Sequence, residues 1–222
     1  MASSRIPGPT GVSNSVPFDV GTLVRSWSAA PGPVCAIPPA PPPRAWHHFS
    51  RTGGFMASTL TMSPEAVSLL QAIETLRLKP YDDQTGKATT EWVVGATVGY
   101  GHLIAKAEWT DYKDGITAQR ADDLFRSDVS PYEVTVGETI SADVQQYEFD
   151  AMVILAFNIG RHGFRDSSVA KLINNPKAVT KYPSLEIAWK AFDKSQGKEN
   201  AGLVNRRSAE WKIYTSGIYA HW

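Results

Sequence analysis

Two carboxylates and a hydroxyl follow one another in one stretch of the sequence, and together they could cleave an acetal. Glu74 is followed nine residues later by Asp83, and Thr97 lies fourteen residues beyond that. Acetal cleavage needs one acid that stays protonated and donates to the leaving oxygen, and one ionised carboxylate that activates water or stabilises a cation. From spacing alone, the alternative that both acids are solvated surface charges stays open.

A helix must position Glu74. The residues Ser63–Glu65 are typical of a helix N-terminus, with a capping hydroxyl, a proline and then an acid. Pro80 disfavours a helical conformation at the residue before it, so we expect the helix to end near Leu78. Glu74 would then lie in the last turn, where the negative end of the helix dipole favours the protonated acid.

A β-hairpin is predicted to carry the hydroxyl. The segment Thr90–Val98 is rich in Trp, Val and Thr, a composition that favours a strand. Gly99 and Gly101 flank Tyr100, and residues without a side chain allow close approach of the backbone.

The two motifs E-x-x-R-L-x-x-Y-x-D and T-x-G-x-G-H resemble the active-site motif of the phage-type lysozymes (endolysins), glycoside hydrolase family 24. The similarity extends from about residue 63 to the C-terminus. It implies that Glu74 is the general acid, that Asp83 is the second carboxylate and that Thr97 helps to hold the attacking water. Thirteen residues separate Asp83 from Thr97, more than expected for compact members, which predicts an extended hairpin.

Further segments are similar to the same family. In A-D-D-L-F-R-S-D-V, the resemblance implies that Asp128 pairs with His102, either as structural support or in proton transfer. In F-N-I-G, it implies that Asn158 hydrogen-bonds a sugar, although a helix cap is an equal alternative. We also expect Tyr100, and Phe164 in a loop of the cleft wall, to bind substrate.

The last predicted helix begins at Gly202 and also resembles the family's closing motif. The resemblance implies that either Arg206 or Arg207 reaches back to support Glu74. Arg206 and Glu210 have the i,i+4 spacing of a helical ion pair. We expect that pair to be exposed and worth less than about 1 kcal/mol.

The remaining pattern is helical. Helices are predicted over Thr117–Val129, over Ser141–Ile159 with its cap at Ser141, and over Ser184–Phe192, with a short one capped by Ser167 or its neighbour. The second of these is apolar on all sides in its second half, as core helices are. We therefore expect an α+β, mainly helical fold. The resemblance implies a lysozyme-like fold, with a small β-hairpin lobe, a larger helical lobe and a cleft between them.

The N-terminal residues differ in composition from the rest. Ten of the fifteen prolines lie in the first 55 residues, which opposes helix and central strand. We predict a disordered Pro-rich leader over residues 1–60 and a catalytic domain over residues 61–222. Trp27 and Trp46–Phe49 could form a wall-binding or partner motif instead. Met56 is a candidate start, and a chain beginning there is expected to be active.

Composition excludes several classes of function. The formal net charge is zero, which gives no electrostatic argument for binding nucleic acid. Cys35 is the single cysteine, so no intrachain disulfide can form. No run of 18 apolar residues is present. The N-terminus lacks a basic region followed by an apolar stretch, so we expect no signal peptide. No Cys/His cluster has metal-ligand spacing, and we expect neither a metal nor an organic cofactor.

The resemblance implies a muramidase that hydrolyses the β-1,4 bond between N-acetylmuramate and N-acetylglucosamine and lyses the bacterial host. Its partner would be the glycan strands of peptidoglycan. It would be a monomer without stable membrane insertion, would stay in the host cytoplasm until release to the periplasm and cell wall, and would depend on a separate holin. A lytic transglycosylase and a non-catalytic wall-binding or virion structural module are the alternatives. Asp83 argues against the transglycosylase, which needs no second carboxylate.

Overall fold

A computed structural model gives the structure of the chain and describes residues 53–222. The fold is α+β and mainly helical, as predicted. None of the helices in the described range combines the length and apolar character that a membrane span requires. The helices are α1 (Pro64–Glu74), α2 (Trp109–Tyr112), α3 (Ala118–Thr139), α4 (Gln146–Ile159), α5 (Arg161–Arg165), α6 (Ser168–Asn174), α7 (Leu185–Lys190) and α8 (Ala201–Ser216), and the strands are β1 (Phe55–Met56), β2 (Arg77–Asp82), β3 (Ala96–Gly99), β4 (His102–Leu103), β5 (Asp143–Val144), β6 (Lys194–Ser195) and β7 (Lys198–Glu199).

Helix α1 begins where the sequence predicts and ends earlier. Ser63 caps it, because the Ser63 side chain accepts a hydrogen bond from the Ala66 N–H. The predicted end near Leu78 is wrong, since the last helical residue is Glu74 and Thr75 has a φ of 53°. The residues that follow become β2 because they pair with β3.

The small lobe is a three-stranded antiparallel sheet in the order β2-β3-β4. Arg77 pairs with Gly99 and Tyr81 pairs with Thr97, with a register shift between the two pairs. The predicted strand over Thr90–Val98 is only partly right, because residues 90–95 form bends and a turn before β3 begins. A separate apolar cluster stabilises this lobe and contains Ala96, Val98, Ile104, Tyr112 and Leu124.

Helix α3 packs on the sheet at one end and on the large lobe at the other. Thr117 caps it by accepting a hydrogen bond from the Arg120 N–H. It ends at Thr139 and not near Val129, because the helix continues through Pro131, which lies on its exposed side.

Helix α4 is the centre of the large lobe, and every residue from Phe149 to Ala156 is buried. It packs against α1, α3, α5 and α8. The prediction that it begins at Ser141 is wrong, because Gln145 and Glu148 form a capping box and the residues before it pair as β5 with β1. Its predicted end at Gly160 is confirmed.

The two short helices and the last helix follow the predicted order. Ser167 caps α6, as expected, whereas Ser184, predicted as the first helical residue, is the cap of α7. Helix α8 is capped by Asn200, whose side chain accepts a hydrogen bond from the Leu203 N–H, so it begins slightly before Gly202.

The predicted boundary at residue 61 is too late. Strand β1 pairs with β5, and Ala57 is buried in the core of the large lobe. Residues 55–60 therefore belong to the folded part, because β5 offers them a strand partner that the local sequence does not reveal. Residues 1–52 of the predicted leader, including Trp27, Trp46–Phe49 and Cys35, lie outside the described residues.

One buried carboxylate, that of Asp150, links the segment after α8 to the start of α1. Asp150 accepts hydrogen bonds from the Ser63 N–H at 3.0 Å and the Ser63 hydroxyl at 2.6 Å. Gln146 donates to it at 2.9 Å, and the Tyr219 hydroxyl makes a short hydrogen bond to its other oxygen. Burial and the Asp150 carboxylate raise the pKa of Tyr219.

Replacing Tyr219→Phe should lower the free energy of unfolding by about 1 kcal/mol, because a half-buried hydrogen bond to a carboxylate is lost. Because the pKa of Tyr219 is raised in the folded state, the protonated phenol stabilises the fold below the unfolded pKa of 10.0. This contribution is lost as the pH rises above that value toward the folded-state pKa. Urea unfolding from pH 7 to pH 11 should therefore show a shallower alkaline loss in the variant. Tyr182→Phe is the control, and equal effects of the two changes would contradict this role.

Candidate active site

One main-chain carbonyl holds Asp83 and Thr97 next to each other. The Gly95 carbonyl accepts a hydrogen bond from the Asp83 N–H at 3.0 Å and from the Thr97 hydroxyl at 2.9 Å. Thr97 is buried and Asp83 is half-buried. The two residues expected to hold the attacking water therefore lie side by side, with Thr97 on β3 and Asp83 in the turn after β2.

Glu74 lies where α1 passes into the sheet. It precedes Arg77 by three residues, which is at most about 11 Å of extended chain. Because Arg77 pairs with Gly99, the end of the helix lies beside the strand that carries Thr97. The topology thus brings the helix end that bears Glu74 to the hairpin that bears Asp83 and Thr97.

The turn around Asp83 is held by its neighbour. Asp82 accepts hydrogen bonds from the Thr85 hydroxyl at 2.8 Å and from the Gln84 N–H at 2.9 Å, and these bonds lower the pKa of Asp82. The Arg77 guanidinium donates to the Gly86 carbonyl at 2.8 Å. The Asp82 carboxylate and the Arg77 guanidinium thus both help to shape this turn.

The turn between β3 and β4 is attached to α3 at two points. His102 Nδ1 lies 3.0 Å from both oxygens of Asp128, so the predicted contact is present. The half-buried ring of Tyr100 packs edge-on against Phe125, with ring centroids 5.4 Å apart. Burial, and then the charge and hydrogen bond of Asp122, raise the pKa of Tyr100. Substrate binding by Tyr100 stays a prediction.

A buried ion cluster lies behind the end of α4. Glu210 accepts hydrogen bonds from Arg206 Nε at 3.0 Å and from the Trp189 indole at 3.1 Å, and Arg207 Nη2 lies 3.0 Å from the same carboxylate. The expectation of an exposed Arg206–Glu210 pair is therefore wrong, because α7 and α4 cover this side of α8. Burial lowers the pKa of Arg207 to about 10, although the Glu210 charge opposes the shift.

The cluster reaches Asn158. Arg207 Nη2 donates to the Asn158 side-chain oxygen at 2.6 Å, which fixes the orientation of the half-buried amide near the end of α4. The contact of Asn158 with sugar and the contact of either arginine with Glu74 stay predictions.

Phe164 is not a cleft residue. It is fully buried in the core of the large lobe, so the expectation that it contacts substrate is wrong. Residues 161–165 form helix α5 instead of a loop, and α5 packs on α3 and α4, which places Phe164 inside. Arg161 and His162 of the same helix are exposed.

The sequence did not predict one polar contact between α1 and α3 near Glu74. Gln71 donates to Asp122 at 2.9 Å and joins α1 to α3. The only available signal was that Gln71 precedes Glu74 by three residues and so shares its helix face. No group of three or more metal-ligating side chains occurs in residues 53–222.

The comparisons with known proteins converge on one group. The family model described as phage lysozyme matches residues 71–210. The chain is 32% identical over 161 residues to the endolysin of Bacillus phage PZA, covering 71% of this chain and 56% of that protein. It spans 55% of the similar endolysin of Bacillus phage B103, so it covers about half the length of these two curated relatives.

Solved structures support the lysozyme-like fold predicted from the sequence. The endolysin of Escherichia coli O157:H7 phage FAHEc1 superposes with a TM-score of 0.57 at 26% identity, covering 72% of this chain and 97% of that one. The muramidase domain of SpmX from Asticaccaulis excentricus gives a TM-score of 0.54 at 26% identity, covering 70% and 98% of the two chains.

Two glutamates, Glu210 and Glu186, each pair with a cation four residues away on the same helix, but they should differ in how much they stabilise the fold. Glu210→Gln leaves Arg207 buried without its counter-charge and should lower the free energy of unfolding by about 3 kcal/mol. Glu186 pairs with Lys190 on α7, but their side chains are 47% and 43% exposed. Glu186→Gln should therefore cost less than about 0.5 kcal/mol. Urea unfolding compares the two, and equal costs would contradict the buried role of Glu210.

Proposed function

The chain belongs to the phage lysozyme family, and from this we propose that it is a peptidoglycan hydrolase of the muramidase type. It hydrolyses the β-1,4 bond between N-acetylmuramate and N-acetylglucosamine. The observation that carries the proposal is the meeting of a helix end bearing Glu74 with a hairpin bearing Asp83 and Thr97. Two carboxyl groups on separate elements are what a glycosidase requires.

In the proposed mechanism the helix supplies the acid and the hairpin supplies the groups that hold the attacking water. Glu74 donates its proton to the glycosidic oxygen, and the negative end of α1 favours the protonated acid before the reaction. Asp83 and Thr97 hold a water on the opposite face of the sugar, and Asp83 accepts a proton as the water attacks. Attack from that face inverts the anomeric centre.

Substrate binding relies on hydrogen bonds and aromatic faces. The chain has no net charge, so long-range attraction to an anionic wall contributes little. Asn158, oriented by Arg207, is suited to hydrogen-bond a sugar at the cleft. We further propose that the chain acts as a monomer without stable membrane insertion. It remains in the host cytoplasm until a holin gives it access to the wall, and its action lyses the host.

Replacing Glu74→Gln should lower the rate of hydrolysis by several orders of magnitude, because the amide has no proton to give. The measurement is clearing of bacteria stripped of their outer membrane, with mass spectrometry of the fragments. Hydrolysis adds about 18 Da of water to each cleaved bond, whereas a lytic transglycosylase adds none.

Glu65→Gln is the matched control, because Glu65 is exposed in the first turn of the same helix. Its activity should equal that of the unmodified chain. An unmodified chain that binds the wall without cleaving it would instead indicate a non-catalytic wall-binding or structural module.

Replacing Asp83→Asn should lower kcat by about a hundredfold or more with a smaller change in KM, because the attacking water loses its base. Asp82→Asn is the neighbouring control, since its amide oxygen can still accept the hydrogen bond from the Gln84 N–H while its NH2 group donates to the Thr85 hydroxyl, so the turn is kept. Release of soluble fragments over a range of substrate concentrations separates the two constants. Equal losses in both variants would remove Asp83 from the mechanism.

A further inference from the structure

The carboxylate of Asp122 on α3 contacts the helix that carries Glu74. Gln71 Nε2 donates to Asp122 Oδ1 at 2.9 Å, and both side chains are half-buried. Residues three apart on a helix are neighbours on its surface, so Gln71 and Glu74 share one face of α1. Asp122 therefore fixes the helix turn from which Glu74 projects.

The same carboxylate acts on the sheet. Besides burial, its charge raises the pKa of the Tyr100 phenol, and the Tyr100 ring packs on Phe125, which lies three residues further along α3. The adjacent backbone is also close to this helix, because a Cβ at Gly99 would lie 3.4 Å from that of Ala121. The part of α3 that carries Asp122 thus holds the turn that follows the strand of Thr97.

The chain segment that joins α1 to the sheet does not by itself fix the distance between them. Thr75 joins α1 to the sheet with a φ of 53°, a conformation that is unfavourable for a β-branched residue. Such a joint persists only where the surrounding contacts hold it. The contacts of Asp122 lie on both sides of this joint.

We propose that Asp122 is a positioning residue, which sets the separation between Glu74 and the water-holding pair Asp83 and Thr97 through Gln71 on one side and Tyr100 on the other. The proposal rests on the proposed glycosidase function. An inverting glycosidase must keep its two carboxyl groups far enough apart for one water and close enough for a concerted step. A displacement of about 1 Å is enough to cost a large part of the rate.

Replacing Asp122→Ala should lower kcat by about tenfold or more with a smaller change in KM, because the Gln71 amide loses its acceptor and the helix end that bears Glu74 is no longer held. Asp123→Ala is the matched control, because Asp123 is the next residue on α3 and its carboxylate accepts a hydrogen bond from Gln119 of the same helix. Its kcat should be that of the unmodified chain. Both are assayed well below their melting midpoints. A normal kcat in the Asp122→Ala variant would overturn the proposal.

A second measurement does not depend on activity. Tyrosine labelled with ¹³C reports the ionisation of Tyr100, assigned by its absence in Tyr100→Phe. In Asp122→Ala the pKa of Tyr100 should fall toward its ordinary value, because the Asp122 charge is lost while burial remains.

Backbone amide signals should shift at Thr75 and also at Thr97 in the same variant, whereas Asp123→Ala should shift neither. Shifts confined to α3, or an unchanged pKa of Tyr100, would overturn the positioning role. A folded, unmodified chain that shows these contacts but does not cleave peptidoglycan would overturn the proposed function instead, so the two failures are distinguishable.

Discussion

The end of helix α1 at Glu74 is the constraint on which the rest of the site depends. A helix continued toward Leu78 would have carried Glu74 away from the sheet and removed the first residues of β2. The sheet prevents this because Arg77 and Tyr81 gain backbone partners in β3. Strand pairing thus overrides a helical tendency, and the acid comes to lie at the junction of the lobes.

Helix α3 packs against both lobes at this junction. It contributes Leu124 to the cluster of the small lobe and Phe125 to the core of the large one. Its polar side chains meet the sheet through the contact of Asp128 with His102. Both lobes are therefore anchored on one helix, which limits how far the two lobes can move apart without unpacking apolar side chains.

The buried ions behind α4 serve a different purpose from the apolar core. Glu210, Arg206 and Arg207 give up hydration, and mutual attraction offsets that cost only when the geometry is good. The arrangement also presents an ordered amide at Asn158, because Arg207 binds both Glu210 and the Asn158 oxygen. We interpret the cluster as a rigid support for the proposed sugar-binding amide, and the indole of Trp189 completes it.

The local sequence determined the features that depend on a few neighbouring residues. The caps at Ser63 and Ser167 were recognisable because a hydroxyl before a helical segment accepts its first free N–H groups. The buried character of α4 followed from its apolar residues. The motifs around Glu74 and Thr97 indicated the family, which the match to the phage lysozyme family model confirmed.

Tertiary structure decided what depends on distant partners. Strands β1 and β2 exist because β5 and β3 lie beside them, and Phe164 and Glu210 are buried because other helices cover them. The contact of Gln71 with Asp122 joins residues 51 positions apart. Periodicity reports which way a side chain faces on its own helix, whereas only packing determines which group it meets.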